Sequence, residues 1–441
     1  MSAFNRRAML RAGLAAGANL LTRRVAAAQA GSSLRLFLGG DLLGPYDAAA
    51  DFAFPPFGRV ADLIRNADVA FANAEGNVFD LVGFRGYRAA ENGGGYPRLS
   101  VRSARALRAS GLNLLSRANN HAMDWGDAGL RASTATLSRL GFAYAGAGDD
   151  LAEARRPVVL ETARGRVALV AAASTFPGLS PAGDSTPGTG PRPGVSPLHV
   201  EPVTLVNEAE MSALIAIANR IGWQGYDLPG PDAKELRIED KLFRLAPQPG
   251  RSWEMSAADR KALIASVAEA RTKADLVIFS IHAHETFSGG YEDPTPADFL
   301  QPLFRELIEA GADIIIRHGP HTVQGLEIYR GKPIFYGMGS LFLDLPRTLT
   351  IASEGPESAR QVVDLPAPWF EGAVATTRFE GRTLRELAFH PLVFSTAPGP
   401  TRGFPMQAGP ADAPRILAMI AERSRAFGTQ FRTEGAKLVL V

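Results

Sequence analysis

Short apolar runs alternate with amphipathic stretches of helical length through most of this chain, and this alternation limits the folds that it can adopt. The apolar runs predict strands at residues 34–38, 69–72, 112–118, 276–281 and 313–316. The stretches between them predict helices at residues 58–66, 101–109, 127–140, 256–273 and 298–310. Strands and helices that alternate at this spacing form βαβ units, so the sequence predicts an α/β protein with a mostly parallel core sheet.

Polar side chains follow these predicted strands, close to the points where the apolar runs end. Five of the seven histidines are among them, and the full set is Asp41, Glu75, Asn120 with His121, His282 with His284, and His318 with His321. The carboxyl ends of parallel strands meet at one edge of a sheet, which is where open α/β sheets bind ligands. Oxygen and imidazole ligands without sulfur suit one or two divalent ions of Mn, Fe, Zn or Ni, so we expect a metal site at this edge.

Each of these positions has a simpler interpretation when it is taken alone. Asn119 and Asn120 could cap a turn, and a single histidine after a strand is more often a hydrogen-bonded structural residue than a ligand. Five such strand ends are harder to explain by packing, because buried acids and imidazoles are costly unless they are paired or bound to metal. The recurrence of the pattern therefore favours a metal site.

The first thirty residues have the pattern of a twin-arginine export signal. Arg6 and Arg7 precede a short, weakly apolar stretch at 12–21, and Ala28-Gln29-Ala30 forms an Ala-x-Ala cleavage site. The apolar stretch is shorter than the roughly 20 residues that a membrane-spanning helix needs. We expect residues 1–30 to be removed and the remaining chain to be periplasmic or otherwise extracytoplasmic, without a membrane span. The alternative interpretation is a short basic N-terminal helix.

Composition excludes several classes of protein. With 46% hydrophobic and 21% charged residues, the chain is expected to be globular and neither disordered nor fibrous. The absence of cysteine excludes disulfides, thiolate metal sites and a cysteine nucleophile. Loss of the five arginines in residues 1–30 would change the formal charge from +2 to −3, so the basic balance gives no reason to expect nucleic-acid binding.

Two regions depart from the alternating pattern. Residues 177–200 contain six prolines and five glycines, which predicts an irregular excursion, and we expect an insertion over about 177–250 with a helix near 207–220 followed by polar loop. Residues beyond about 345, up to 441, are predicted to form a β-rich C-terminal extension with one helix near 411–427.

Several short motifs resemble those of a known family. They are Gly40-Asp41, Asn73-Ala74-Glu75-Gly76, Asn119-Asn120-His121 with Asp124-Trp125-Gly126, His282, His318-Gly319-Pro320-His321 and Tyr336-Gly337-Met338-Gly339-Ser340. Together they are similar to the CapA, or poly-γ-glutamate capsule biosynthesis, proteins of the metallo-dependent phosphatase-like superfamily. The resemblance runs from about residue 34 to 344, within a domain expected to span 31–441. It implies a four-layer αββα sandwich of the metallophosphatase type, with the metal site on the sheet edges.

The resemblance also implies roles for individual residues. The candidate metal ligands are Asp41, Glu75, Asn120, His282, His318 and His321. His121 matches the residue that donates a proton or stabilises charge at the leaving group in related phosphoesterases, and Asp124 is placed to orient it. Three positions depart from the superfamily pattern: Leu43 stands where a histidine is usual, Glu75 replaces aspartate, and Arg317 replaces glycine.

Further residues are predicted to contact the substrate. Arginines crowd the segment after Glu75, and two of them, Arg85 and Arg88, could form a basic rim that attracts an anionic polymer or a phosphoester. His284 and Arg317 are predicted substrate contacts beside the metal ligands. A solvated loop and helix surface is an equally good interpretation of the arginines, and a plain loop residue or a partner of the ligands is an alternative for His284.

Three functions are compatible with the sequence. The first is an exported metal-dependent hydrolase that acts on a phosphoester or an envelope polymer. The second is a non-enzymatic assembly or export subunit for a poly-γ-glutamate capsule, with capsule synthesis machinery as its partner. The third is a metal-independent peptide-modifying enzyme on the same fold. The gathering of six candidate ligands favours chemistry, because a scaffold does not require them.

Overall fold

The structure is a computed structural model that describes residues 33–441 apart from 47–48, 90–94, 223–229, 231, 291–292 and 353–359. The predicted export signal at 1–30 lies outside the described residues. The helices in the described part of the chain are α1 (Gly58–Arg65), α2 (Val101–Ala109), α3 (Gly126–Leu140), α4 (Leu151–Arg155), α5 (Glu208–Ile221), α6 (Ala257–Lys273), α7 (Leu300–Ala310) and α8 (Ala413–Arg425). Short 3₁₀ turns occupy Pro55–Phe57 and Ala367–Phe370.

The strands of the described residues are, in chain order, β1 (Ser33–Leu43), β2 (Val69–Asn73), β3 (Asn77–Val78), β4 (Arg98–Leu99), β5 (Leu114–Ser116), β6 (Ala143–Ala145), β7 (Ala147–Gly148), β8 (Val158–Thr162), β9 (Gly165–Ala173), β10 (Gly194–Val195), β11 (Val200–Val206), β12 (Glu235–Ile238), β13 (Lys241–Leu245), β14 (Gly250–Met255), β15 (Leu276–His282), β16 (Ile314–His318), β17 (Leu326–Tyr329), β18 (Lys332–Phe335), β19 (Ser340–Leu343), β20 (Thr348–Ala352), β21 (Arg360–Asp364), β22 (Glu371–Glu380), β23 (Thr383–Phe394), β24 (Pro405–Gln407), β25 (Phe431–Glu434) and β26 (Lys437–Leu440).

Two large sheets form the centre of the molecule. The first has the order β25-β26-β23-β22-β1-β2-β5-β6, with β19 pairing to β1 and β24 to β23. Within it β1, β2, β5 and β6 are parallel, whereas β22 joins β1 antiparallel. The second sheet has the order β17-β18-β16-β15-β9-β8, and its four inner strands are parallel. The parallel strands predicted from the sequence are thus divided between two sheets.

The sheets pack face to face, and each is covered by helices on its other side. Leu36 and Leu38 of β1 point into an apolar core shared with the second sheet, which contributes Leu169, Ile278 and Ile316 to it, whereas Phe37 points to the opposite side. Such alternation is the period-2 pattern of a strand. Helices α1, α2 and α3 cover the first sheet, and α6 and α7 cover the second. The predicted four-layer αββα sandwich is confirmed.

The inserted region contains more regular structure than its sequence indicates. Residues 200–255 include a four-stranded sheet with the order β12-β13-β11-β14, and α5 packs against it. Two of these strands, β12 and β13, occupy the region predicted to be polar loop. Trp253 of β14 connects this sheet to the body of the molecule, because its Nε1 donates a hydrogen bond to the carbonyl oxygen of Thr286 at 2.9 Å.

The C-terminal part is β-rich, as the sequence predicts. Strands β22 and β23 extend the first sheet beyond β1, and α8 packs against them within the core between the two sheets. A separate hairpin of β20 and β21 precedes the 3₁₀ turn at Ala367–Phe370. None of the helices in the described ranges is both long and apolar enough to cross a membrane.

Candidate metal centre

The first candidate ligand, Asp41, lies within β1 at a local irregularity of the strand. The pairing of β1 with β2 shifts register between Leu38 and Asp41, a break that turns side chains away from their regular alternation. Gly40 makes this path possible, because a Cβ at that position would lie only 1.9 Å from the carbonyl oxygen of Gly339. The backbone N–H of Asp41 then donates to the same carbonyl oxygen at 3.0 Å.

Asp41 connects the first sheet to the second. Its Oδ1 lies 3.2 Å from Nδ1 of His318, and its Oδ2 lies 3.5 Å from Nδ1 of His321. The backbone N–H of Gly319 also donates to Oδ2, at 3.1 Å. Burial alone would raise the pKa of Asp41, but the two histidine rings beside its carboxylate outweigh burial and hold the pKa well below the ordinary value. Asp41 is therefore a buried carboxylate anion at the centre of the cluster.

Asn73, at the end of β2, joins two of the candidate ligands. Its Nδ2 donates to Oδ1 of Asp41 at 2.8 Å and lies 3.1 Å from Nδ1 of His282. Nδ2 of Asn119 lies 3.3 Å from Oδ1 of Asn73, which connects this network to the loop after β5. The sequence motifs include Asn73, yet reasoning from the sequence assigned it no role. Its position two residues before Glu75 at a strand end was the available signal.

Glu75 is buried, and neither of its carboxylate oxygens has a hydrogen-bond partner among the described residues. Its Oε1 lies 3.9 Å from Nε2 of His282. Burial raises the pKa of Glu75 well above the ordinary value, and the charges of Asp41 and Asp124 raise it further. A buried carboxyl group that lacks partners is costly, and a bound cation is one way to remove that cost.

His284 lies closer to the metal ligands than its predicted role as a substrate contact requires. Its Nε2 is 2.9 Å from Nε2 of His282. Burial lowers the pKa of both rings, and that of His284 falls to about 3, so both are neutral at neutral pH and have lone pairs available. The spacing His-x-His at the end of β15 gives a sequence signal for this arrangement, because alternate residues of a strand face the same side.

The acidic and imidazole side chains form two overlapping groups that could each hold an ion. One group is Glu75, His282 and His284, the other is Asp41, Glu75 and His321, and the ligand atoms of each lie within 4.8 Å of one another. The two groups share Glu75. Four of the six candidate ligands, Asp41, Glu75, His282 and His321, thus belong to them, and His284 joins this set.

The two remaining candidate ligands are buried in the same region. The amide oxygen of Asn120 and Nε2 of His318 are buried and have no hydrogen-bond partner in the described part of the chain. In a site built for a cation, the coordinating atoms are buried and have no hydrogen-bond partner within the protein. These two atoms and the carboxylate oxygens of Glu75 meet that description in the described part of the chain. Because all these donors are oxygen or imidazole nitrogen, the residues fit a divalent ion of the Mn, Fe, Zn or Ni type.

His121 and Asp124 form a pair beside the ligands. Nδ1 of His121 lies 2.7 Å from Oδ2 of Asp124, in the tight turn that leads into α3. Burial raises the pKa of Asp124 to about 6, although the contact with His121 opposes this shift. Asn77 holds the turn by donating from Nδ2 to the backbone oxygen of His121 at 2.9 Å. The predicted orienting role of Asp124 is compatible with this geometry.

The predicted basic rim lies on the loop that covers this turn. The side chains of Arg85 and Arg88 are exposed, and the guanidinium of Arg88 lies over the rings of Tyr96 and Trp125 at 4.9 and 5.8 Å. The backbone N–H of Ala89 donates to the carbonyl oxygen of Asp124 at 2.8 Å, which attaches the loop to the His121 turn. Arg88 is therefore positioned near the candidate site and accessible to an anionic ligand.

Arg317 does not have the exposure that its predicted role as a substrate contact requires. The side chain is buried, and its guanidinium donates to the carbonyl oxygens of Ala283 at 2.8 Å, Glu285 at 2.7 Å and Tyr336 at 3.2 Å. The donors of Arg317 are directed at the backbone on both sides of His284, which favours a positioning role, and contact with substrate stays a prediction. The residue holds the loop that carries His284.

Two apolar neighbours complete the surroundings of the cluster. Leu43, which replaces the histidine usual in the superfamily, packs in an apolar cluster with Leu343, Phe370 and Phe394. The ring of Trp369 lies 4.6 Å from the ring of His321, edge to face, and so brings the C-terminal extension against a candidate ligand. No pattern in the sequence points to Trp369, because its 3₁₀ turn lies far along the chain from the motifs.

The four-layer sandwich and the polar cluster on its strand ends define an α/β protein with a candidate metal centre. The chain belongs to the family described as bacterial capsule synthesis protein PGA_cap, whose model matches residues 14–344.

Three relatives illustrate the similarity. The chain is 34% identical over 416 residues to the uncharacterized protein y4uA of Sinorhizobium fredii, covering 88% of each chain. It is 36% identical over 93 residues to the PGA biosynthesis protein CapA of Bacillus subtilis, covering 21% of this chain and 23% of that one. It is 23% identical over 296 residues to the capsule biosynthesis protein CapA of Bacillus anthracis, covering 67% and 55%.

Proposed function

We propose that this protein is an exported, metal-dependent hydrolase that cleaves phosphoester bonds or bonds of an anionic envelope polymer. The observation that carries the proposal is the buried carboxyl group of Glu75, which lies among His282, His284, Asp41 and His321 with no hydrogen-bond partner in the described residues. In a structural ion-pair network, the carboxyl oxygens of Glu75 would have hydrogen-bond partners. In a cation site, the same oxygens must be available to bind the ion.

The chemistry divides between the ligand cluster and the His121 pair. A divalent cation held by the cluster would supply Lewis acidity and charge stabilisation at the substrate. Asp124 accepts a hydrogen bond from the Nδ1–H of His121 and so fixes the ring orientation, which leaves Nε2 as the atom that exchanges a proton with the substrate. In the protonated ring, Nε2 can donate to the leaving group, and the nearby Asp124 carboxylate stabilises that charge.

The substrate is proposed to be anionic. Arg85 and Arg88 present exposed positive charge on the loop attached to the His121 turn, and such charge attracts anions towards a site. The names of the Bacillus subtilis and Bacillus anthracis relatives refer to PGA and capsule biosynthesis. A phosphoester and an anionic polymer such as poly-γ-glutamate are the two substrate classes that we would test first.

The direct test combines metal analysis with an activity screen. The purified protein is expected to contain or take up a divalent ion and to hydrolyse bis(p-nitrophenyl) phosphate or a γ-glutamyl polymer, with loss of activity on chelation and recovery on adding Mn²⁺. Glu75→Gln keeps the size of the side chain and removes its charge, so it should lower metal uptake. Glu309→Gln, on the outer side of α7, is a matched control that should leave uptake unchanged.

The result also distinguishes the alternatives. Activity that survives chelation but disappears in His121→Ala would support a metal-independent peptide-modifying enzyme and contradict the proposal. Metal uptake with no hydrolysis of any probe would favour a non-enzymatic subunit of capsule assembly. Normal capsule in a strain that carries His121→Ala at unchanged protein level would also favour the subunit.

A further inference from the structure

Tyr46 has a hydroxyl group that no interaction in the described part of the chain explains. The residue follows β1, five positions after Asp41. Part of its ring is accessible, but the hydroxyl oxygen is buried and has no hydrogen-bond partner among the described residues. Buried tyrosine hydroxyls normally find a partner, so this one requires an explanation.

The surroundings of Tyr46 connect it to the candidate site. Burial raises the pKa of Tyr46, and the charges of Glu75, Asp344, Asp124 and Asp41 raise it further, in that order. Three of these carboxyl groups belong to different strand ends of the candidate site. Tyr46 and Trp369 pack against the same apolar cluster, and the ring of Trp369 lies 4.6 Å from the ring of the candidate ligand His321, so Tyr46 stands at the edge of the candidate site. The raised pKa keeps its hydroxyl protonated, so the hydroxyl can act as a hydrogen-bond donor.

The position of Tyr46 is fixed by its backbone and its ring. The backbone N–H donates to Oδ2 of Asp344 at 2.8 Å, and Asp344 in turn donates from its backbone to the oxygen of Leu43 at 2.7 Å. The ring packs against the apolar cluster that contains Leu43 and the rings of Phe370 and Trp369. A side chain held in this way is pre-organised, which is what a donor to a bound ligand requires.

We propose that the hydroxyl group of Tyr46 donates a hydrogen bond to an anionic oxygen of the ligand bound at the metal centre, such as a phosphate or phosphoester oxygen. The inference rests on the proposed function, since it concerns the ligand of the same site. It adds a positioned donor from the segment that follows β1, at a residue that none of the motifs includes. No proton is transferred in this interaction.

A purely structural role predicts a different behaviour. If the ring alone mattered, Tyr46→Phe would keep the packing, remove a buried group that lacks a partner and change nothing at the site. The expected result under the proposal is a protein at least as stable as the parent, with an unchanged affinity for Mn²⁺ and a weaker affinity for inorganic phosphate. A hydrogen bond to a charged group corresponds to a loss of roughly 10- to 100-fold in affinity.

The experiment is calorimetric titration of the Mn²⁺-loaded protein with inorganic phosphate, together with Mn²⁺ titration and thermal unfolding of each variant. Tyr329→Phe is the matched control, because its hydroxyl donates to Glu309 at 2.7 Å on the outer side of the second sheet. A loss of phosphate affinity in Tyr46→Phe alone, with Mn²⁺ affinity and thermal stability retained, supports the proposal.

The other outcomes overturn it in distinguishable ways. Equal phosphate affinity in Tyr46→Phe and the parent overturns the inference and leaves the proposed function standing. Loss of Mn²⁺ from Tyr46→Phe overturns it too, because the hydroxyl would then serve the ion. A parent protein that takes up no Mn²⁺ contradicts both proposals. A parent that binds Mn²⁺ and phosphate without hydrolysing any probe contradicts the proposed hydrolase alone, and the phosphate affinity of Tyr46→Phe still decides the inference.

Discussion

Nε2 of His282 lies 2.9 Å from Nε2 of His284, at the carboxyl end of β15. Burial lowers the pKa of both rings, so neither carries a positive charge that would force them apart at neutral pH. Two neutral imidazole nitrogens at this separation can share one proton as a hydrogen bond, or both can turn a lone pair to a common cation. The nearby oxygens of Glu75 favour the cation.

We predict that His284→Ala lowers the affinity for Mn²⁺ by roughly 10- to 100-fold, since losing a ligand or its support typically has an effect of this size. Isothermal titration of the purified variant measures it. His199→Ala is the control, because His199 is a largely exposed histidine paired with Asp259, which belongs to neither candidate metal group. Equal Mn²⁺ affinity in the His284→Ala variant and the parent would exclude His284 as a ligand.

His121 and Asn120 are adjacent, yet we predict opposite effects for them. His121→Ala should retain the metal and lower turnover by about 10²- to 10⁴-fold, which is the usual range for a general acid or base. Asn120→Ala should lose metal first and activity as a consequence, because its buried amide oxygen is available to an ion. Metal content and turnover are measured on the same samples. The reverse ranking, with metal lost in His121→Ala, would show that the two roles are exchanged.

The buried guanidinium of Arg317 leads to a prediction about stability. Arg317→Met keeps most of the volume but leaves the carbonyl oxygens of Ala283, Glu285 and Tyr336 without their donor, so we expect a loss of about 3 kcal/mol in the free energy of unfolding. Urea denaturation measures it, and Arg385→Met, which breaks an exposed ion pair with Glu380, should change little. A variant of unchanged stability that binds substrate poorly would instead support the prediction that Arg317 contacts the substrate.

The lowered pKa of His390 leads us to predict that the fold becomes less stable in acid. Burial lowers its pKa to about 4, with a smaller contribution from Lys437, whereas histidines in an unfolded chain titrate near 6.5. The unfolded chain therefore binds more protons between these values, and stability falls as the pH decreases from 6.5 to 4, by roughly 3 kcal/mol for this residue. His390→Gln should remove that part of the pH dependence, as measured by denaturation at several pH values. If the unfolding free energy of the variant depends on pH as steeply as that of the parent, the low pKa of His390 is contradicted.

Export by the twin-arginine route is a prediction that concerns residues outside the described part of the chain. Replacing Arg6 and Arg7 with lysine should leave the precursor in the cytoplasm, because the route reads the arginine pair. Fractionation of cells followed by immunoblotting measures this. Arg23→Lys with Arg24→Lys changes two arginines near the end of the same segment and serves as the control. Normal periplasmic accumulation of the first variant would contradict the prediction.

The αββα layers were predictable from the sequence because they depend on local patterns. The β1 run from Leu34 to Leu38 and the polar ends of β15 and β16 have a period and a length that are visible in the sequence. The sheet of the insertion was not visible. Its strands β12 and β13 are only four and five residues long and each carries two charged residues, so their sequences resemble a polar loop. Their pairing with β11 depends on contacts with distant residues.

The candidate site was predictable in composition but not in detail. Parallel pairing of β15 and β16 places His282 and His318 side by side, as the sequence predicts. Asp41 comes from the other sheet and meets them because the two sheets pack together. The buried state of Arg317 was not visible, because only the path of the neighbouring backbone shows that its donors are used. Trp369 and Tyr46 were also missed, since each depends on how the segment around Asp344 folds against β1.

The contact between Asp41 and the second sheet joins residues that are 278 positions apart in the chain, where the backbone of Gly319 donates to the carboxylate. Each of the two large sheets thus carries only half of the cluster: Asp41 and Asn73 come from one, and His282 and His318 from the other. A folding intermediate in which just one sheet has formed would offer no more than isolated polar side chains to an ion. Affinity for metal is therefore a property of the docked pair of sheets, and it should arise only at the last stage of folding.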